Sequence, residues 1–421
     1  MTVTSTELPL FPFAGRMRRR AGFTIAADGS YAACLAEGGP AGEAATGPGG
    51  GPWFVERWTL GGPEPYAVGL PGTRPEEPGT RVVPMPDGRV LVGRRVGDRH
   101  DLVLLYPTGP GTGEVPVCSL PGADVRLLPP APAPGAAYAL AYGGGTTAVW
   151  QIQGTSARCL TTVEGRCTGG VWLDRTGRHL ALDRELDGLT KAVAVDLHTG
   201  TVSPLLHLTD DSDDRLLLAE PGSGLLLLRS DAAGEARLGW GVLGSRRPVR
   251  FPDALRLNGA LLTPVAAQPG HILTPETCVV ALRAEAPGGA ESLALWRPGE
   301  RRLHWRASPP GWLGATGLWL PGAPLRLPYA VLDWPCGLMP YDVPGAVTRP
   351  GAVAGAAPGT SPPAVAGAGP AVFTGTGPAA EPRPRTRRRI AGGPHPVQSA
   401  AARPPAVLPL QQAPLAAVRA G

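Results

Sequence analysis

The sequence predicts an all-β fold assembled from a repeated, roughly four-stranded unit, and three observations carry that prediction. Gly and Pro number 60 and 51 in 421 residues, about twice their average share, a composition that long helices do not tolerate. Seven times an apolar or β-branched stretch runs into a turn, with Gly29, Gly88, Gly135, Gly177, Gly222, Gly270 and Gly322 spaced 42 to 59 residues apart. In most copies a second apolar stretch follows at once. A hydrophobic content of 43% excludes a wholly disordered chain, and no apolar run is long enough to predict a membrane-spanning helix.

The fourth unit shows the pattern best. Val171-Trp-Leu-Asp-Arg-Thr-Gly177 is followed by His179–Leu182, a polar loop over Asp183–Gly188, Ala192–Leu197, the turn His198–Gly200 and Thr201–Leu206. This reads as four strands joined by three turns, the second the loosest. Asp-Gly and Pro-Gly reverse the chain because glycine accepts φ > 0 without a Cβ clash. The same order recurs at Val82–Pro84, Arg89–Val92, Asp101–Tyr106 and Glu114–Val117, and again at Val125–Pro130, Tyr138–Tyr142, Ala148–Ile152 and Ala157–Thr161. The remaining units start at Phe23, Leu216, Leu261 and Leu318.

A four-stranded meander exposes two faces, so it buries its apolar residues only by stacking on neighbours. A period of 40 to 50 residues is that of a propeller blade, and the expected fold is a seven-bladed β-propeller. Six blades are the alternative if the final unit is irregular. The last unit, Leu318–Leu320, Leu325–Leu332 and Leu338–Tyr341, lacks an outermost strand, and Leu8–Phe13 is expected to supply it and close the ring. Gly38–Pro52, with seven glycines, reads as a loop inserted in the first blade. Residues 1–345 form the expected propeller. Residues 346–421 hold fourteen Pro, ten Gly and one aromatic, Phe373, and are expected to form a disordered tail.

The pattern Asp-Arg-Thr-Gly177-Arg-His-Leu-Ala-Leu182 followed by Val195-Asp-Leu-His-Thr-Gly200 resembles the WD40-like repeats of TolB and of the N-terminal domain of prolyl oligopeptidases. The resemblance spans about residues 22–345 and implies a propeller. The peptidase activity does not transfer with it. No Gly-x-Ser-x-Gly elbow occurs, Ser156 and Ser223 both miss the motif, and 76 residues after the propeller cannot build a hydrolase domain.

Charge is unevenly placed. Eight Arg and one acid, Glu381, give residues 346–421 a net charge of +7, which leaves the body at −2. The body therefore offers no basic face for nucleic acid, whereas Arg383–Arg389 could contact an acidic partner, anionic lipid or nucleic acid. Val407–Leu410 and Leu415–Val418 are candidate apolar docking motifs set against a solvated linker. Arginine dominates the basic residues, with Lys191 the single lysine, as expected of a GC-rich coding background.

No catalytic, cofactor-binding or metal residues are predicted. Lys191 follows no glycine run, so no phosphate loop is present. Gly143–Gly145 reads as a hairpin turn. Asp210-Asp-Ser-Asp-Asp214 starts like a calcium loop, but Arg215 stands where the turn glycine belongs, and a solvated inter-blade turn is expected. His198 and His207 read as solvated turn residues. Trp150, Trp172, Trp240 and Trp296 are expected to pack between blades, and Trp312, Trp319 and Trp334 to sit in the core or at a channel mouth. Six cysteines without CxxC spacing predict reduced, mostly buried thiols in a cytoplasmic protein. Arg16–Arg20 imitates a twin-arginine signal, but Asp28 ends the apolar run too early. The expectation is a monomeric, non-catalytic scaffold binding a protein or peptide. The alternatives are a small-molecule enzyme of the propeller lyase or lactonase type and an accessory propeller of a separately encoded hydrolase.

Overall fold

The computed structural model describes residues 18–38, 51–109, 111–314 and 316–343. Leu8–Phe13, most of the Gly38–Pro52 segment and everything expected of residues 346–421 lie outside the described residues. Within them the chain forms seven antiparallel sheets in sequence order. The first holds β1 (Arg20–Ile25), β2 (Tyr31–Glu37), β3 (Trp53–Thr59) and β4 (Tyr66–Leu70). The second holds β5 (Arg81–Pro84), β6 (Val90–Val96), β7 (Arg99–Thr108) and β8 (Gly111–Pro121). The third holds β9 (Asp124–Leu127), β10 (Ala137–Gly143), β11 (Thr146–Gln153) and β12 (Ser156–Glu164). The fourth holds β13 (Arg166–Trp172), β14 (His179–Leu186), β15 (Leu189–Asp196) and β16 (Thr201–Leu206).

The fifth sheet has three strands, β17 (Asp214–Glu220), β18 (Leu225–Ser230) and β19 (Arg237–Val242), with Arg250 bridging to Trp240 at its outer edge. The sixth has β20 (Leu261–Ala267), β21 (Val280–Glu285), β22 (Glu291–Trp296) and β23 (His304–Ala307). The seventh keeps two strands, β24 (Leu325–Tyr329) and β25 (Gly337–Tyr341). Two isolated bridges, Trp312 to Tyr329 and Leu318 to Arg326, add an irregular inner segment to it. Six fuller sheets and one reduced sheet thus account for both blade counts, and first strands lie side by side from the first sheet to the third and from the fourth to the sixth.

Seven apolar clusters join the sheets pairwise, and the last closes the ring. Leu35 and Val55 meet Val90 and Leu105. Leu102 and Leu104 meet Ala139 and Ile152. Leu140 and Val149 meet Leu180 and Val193. Ala192 and Leu205 meet Leu226 and Leu228. Leu227 and Trp240 meet Val280 and Trp296. Ala281 and Leu293 meet Leu325 and Leu327. Finally Ala330 and Cys336 of the seventh sheet meet Phe23, Cys34 and Trp58 of the first. Successive strand residues point to opposite faces, and here both faces are covered. This explains the unbroken run Leu225-Leu-Leu-Leu228. Leu225 and Leu227 face the sixth sheet, while Leu226 and Leu228 face the fourth.

The turn glycines behave as the sequence implies, with two corrections. Gly29, Gly88, Gly135, Gly177, Gly270 and Gly322 have positive φ, but at the fifth unit Gly224, not Gly222, takes that conformation. The loop expected over Asp183–Gly188 is a two-residue turn. Asp187 and Gly188, at φ 52° and 81°, reverse the chain, and strand pairing continues from Asp183 to Leu186. The polar run misled because Asp183 is a buried strand residue, 6% exposed, whose carboxylate is used between sheets.

Candidate functional site

One end of the ring carries the turns between first and second strands and between third and fourth strands. The other carries the turns between second and third strands and the crossings to the next sheet. The acidic run lies on such a crossing, between β16 and β17, and the structure divides it. Asp210 is exposed and 3.0 Å from His207 Nε2, and Asp211 accepts from Thr209 Oγ1 at 2.8 Å. Asp213 accepts from the Thr190 N–H at 2.7 Å, and Asp214 is fully buried.

Asp214 accepts from Ser230 Oγ at 2.7 Å, the Leu208 N–H at 2.9 Å and Ser212 Oγ at 3.0 Å. Lys191 Nζ lies 3.0 Å from Oδ2, the oxygen that also accepts the Leu208 N–H, and donates to the carbonyls of Thr209 and Ser212. The run is therefore no calcium loop and only half a solvated turn. Its last residue joins the single lysine of the chain in a buried pair that pins the crossing from the fourth sheet to the fifth. The same seam holds Asp183, whose Oδ1 accepts the Leu216 N–H at 2.9 Å. Burial pushes its carboxyl up to about 6, against the Leu216 bond and the nearby Arg215 charge, which pull it down.

Other seams have polar fasteners as well. Arg94 grips Glu76 at 2.7 Å and Glu114 at 2.6 Å. Arg166 reaches back to Asp124 at 2.7 Å, and Arg57 donates to the Gly88 carbonyl at 3.2 Å. Within the first sheet, Arg20 and the Trp58 indole N–H hold the buried Glu56 at 2.7 and 2.8 Å. Glu220 accepts the N–H groups of Gly222 and Ser223. Asp174 accepts from the Thr176 hydroxyl and from the His179 and Arg178 N–H groups inside its turn, which hold its carboxyl down at about 2 against partial burial. Each buried carboxylate of the described residues, Glu56, Glu76, Asp183, Asp214 and Glu220, thus has a partner.

The remaining candidates take modest roles. Ser156 is exposed and donates to the Gln153 carbonyl, while Ser223 is buried beside Glu220. Gly144 and Gly145 make the hairpin turn between β10 and β11. Trp172 packs edge-on against Tyr138 across the third seam, and Trp240 against Trp296 across the fifth, as expected. Trp312 and Trp319 join the core between the sixth and seventh sheets, but Trp334 is 63% exposed. All six cysteines are free, four of them buried. No helix among the described residues is long and apolar enough to cross a membrane.

The surface the sequence reading missed is the connection between β20 and β21, on the end with the first-to-second-strand turns. It presents Ile272 and Leu273 at 73% and 84% exposure, the two most exposed large hydrophobic residues described. Leu273 has φ 54°, in the left-handed region. A short 3-10 turn at Pro275–Thr277 follows, and Thr277 Oγ1 lies 3.0 Å from both His271 Nδ1 and the Thr274 carbonyl. The strain is thus held in place by polar contacts on one side. The only hint in the sequence is an aliphatic pair inside a Gly- and Pro-rich turn.

No protein-family model matches the chain, and no curated protein does. Among solved structures, TolB from Acinetobacter baumannii is 13% identical with a TM-score of 0.38, over 68% of this chain and 74% of that one. An oligogalacturonate lyase in complex with manganese is 11% identical with a TM-score of 0.48, over 76% of this chain and 89% of that one. Prolyl oligopeptidase B from Galerina marginata is 11% identical with a TM-score of 0.48, and 79% of this chain spans half of it. By its own sheet order and its closed set of apolar seams the chain is a β-propeller, and its likeness to these proteins is one of fold alone.

Proposed function

We propose that this propeller is a non-catalytic scaffold that binds a protein or peptide partner, with Ile272 and Leu273 as the anchor. One observation carries the reading: two adjacent aliphatic side chains stand in solvent at a loop tip, one of them on left-handed backbone. Exposed apolar residues on a rigid ring suit contact with a partner, and a strained non-glycine residue points to a use beyond folding. The buried carboxylates support the same reading, because they already serve as fasteners between and within sheets.

The test compares the full chain with an Ile272→Asp/Leu273→Gly double variant. Glycine accepts positive φ freely, so Leu273→Gly alone should hold or raise Tm, by up to about 1 kcal/mol of stability. Immobilised wild type is expected to retain a partner that the double variant releases at unchanged Tm. Equal retention by both would overturn the assignment of the anchor. A Tm loss in Leu273→Gly would show that the leucine serves folding.

A further inference from the structure

A second feature lies between the fifth and sixth sheets, on the end of the ring with the crossings. A cavity of about 300 Å³ is lined by Arg229, Arg237, Arg256, Glu235 and Asn258, with the connection Leu255–Leu262 forming one wall. Two of the three arginines have acidic partners. Arg256 Nε is 2.7 Å from Glu235 Oε1, and Arg237 Nη2 is 3.4 Å from Asp253 Oδ1. Arg237 also donates to the Phe251 carbonyl at 2.9 Å.

Arg229 differs. It is half-buried on β18, and its one hydrogen bond among the described residues goes to the Leu262 carbonyl at 2.8 Å. No carboxylate among the described residues pairs with it. Burial lowers its guanidinium from the ordinary value, with no neighbouring acid to offset the effect. A cation removed from water without a counter-charge is unfavourable, and an arginine has five N–H donors, of which one bond uses one.

We propose that this cavity binds a ligand bearing a single carboxylate, held by the Arg229 fork. The charge balance selects that chemistry. With Arg237 and Arg256 already paired, one positive charge is left, which a monoanion neutralises and a phosphate dianion would exceed. The planar guanidinium matches a carboxylate through two parallel hydrogen bonds, and Asn258 at the rim offers an amide to the rest of the ligand. This site lies in a different connection from Ile272 and Leu273, so it stands or falls apart from the partner reading.

Calorimetric titration of the full chain tests the proposal with benzoate, N-acetyl-Ala-Ala carrying a free carboxylate, its C-terminal amide, and inorganic phosphate. At least one carboxylate should bind saturably, the amide should not, and phosphate should bind about tenfold more weakly or worse. Benzoate alone would identify a free small acid as the ligand, and the peptide acid alone a chain end. Arg229→Met should weaken carboxylate binding about tenfold or more. Asn258→Asp, in an exposed turn, keeps the proposal testable if Arg229→Met does not fold. It should raise Tm by placing a carboxylate near Arg229 and abolish binding. Failure of every carboxylate to saturate, tighter binding of phosphate, or wild-type binding by the variants would overturn the proposal.

Discussion

At the seam between the fourth and fifth sheets, an apolar layer of Ala192, Leu205, Leu226 and Leu228 is capped by charge. At the seam that closes the ring, Ala330 and Cys336 meet Phe23, Cys34 and Trp58, and the polar residue nearby, Glu56, is held within the first sheet by Arg20. Burial pushes the Cys336 thiol up to about 12 and raises Cys34 well above its ordinary range, so neither contributes charge at neutral pH. The two seams also differ in connectivity. The first is spanned by the chain itself, whose crossing Asp213 and Asp214 pin, and the second joins sheets far apart in sequence. Where the chain crosses, its backbone polar groups need partners and a buried ion pair supplies them. Where sheets only meet, shape and apolar area suffice.

Removing the cation at the charged seam should have the largest effect. Lys191→Met keeps the stem but leaves Asp214 buried without its counter-charge, which typically costs about 3–5 kcal/mol. Chemical denaturation should show that loss. A change under about 1 kcal/mol would mean that the three hydrogen-bond donors to Asp214 suffice without the lysine.

Asp183, at the same seam, predicts the opposite sign. Its folded-state value near 6 lies above the ordinary 3.8, so the folded protein binds the proton more tightly than the unfolded chain. Stability from this group is greatest below about pH 4, falls as pH rises to 6, and is level above, a loss of about 3 kcal/mol. Asp183→Asn keeps an acceptor for the Leu216 N–H and removes the charge. It should stabilise the protein at pH 8 and do little at pH 4, as Tm at the two pH values will show. Equal effects at both would place the proton on another group.

The difference between the seams also explains what the sequence revealed. Repeat length and turn glycines are local, so the units could be read from residue order, and Leu318, Leu325 and Leu338 correctly marked the reduced seventh sheet. Lys191 and Asp214 lie 23 residues apart and meet only because neighbouring sheets stack. Nothing in their local pattern says so. Two signals were available: a single lysine in an arginine-dominated chain, and an Asp opening the apolar strand Leu216-Leu-Leu218. Ile272 and Leu273 carry no such signal, because exposure is a property of the folded ring and an aliphatic pair beyond a turn glycine suits a buried strand equally well.

A matched pair of glycines measures the closing seam directly. Gly29 and Gly177 occupy equivalent turns at φ 72° and 71°, so replacing either by Ala incurs the same left-handed penalty, roughly 1 kcal/mol. Their surroundings differ. A Cβ on Gly177 would rest 3.5 Å from Ala133 Cβ, an ordinary contact, whereas on Gly29 it would come within 2.7 Å of Leu318 Cδ1. Leu318 is 8% exposed and sits on the inner segment of the seventh sheet, bonded in both directions to Arg326 at 2.9 Å. Gly29→Ala should therefore lower Tm more than Gly177→Ala, by a margin worth about 1 kcal/mol if overpacking is relieved only in part. Equal losses would mean that the closing segment gives way without resistance and that the ring is held shut mainly by the Phe23–Trp58 cluster.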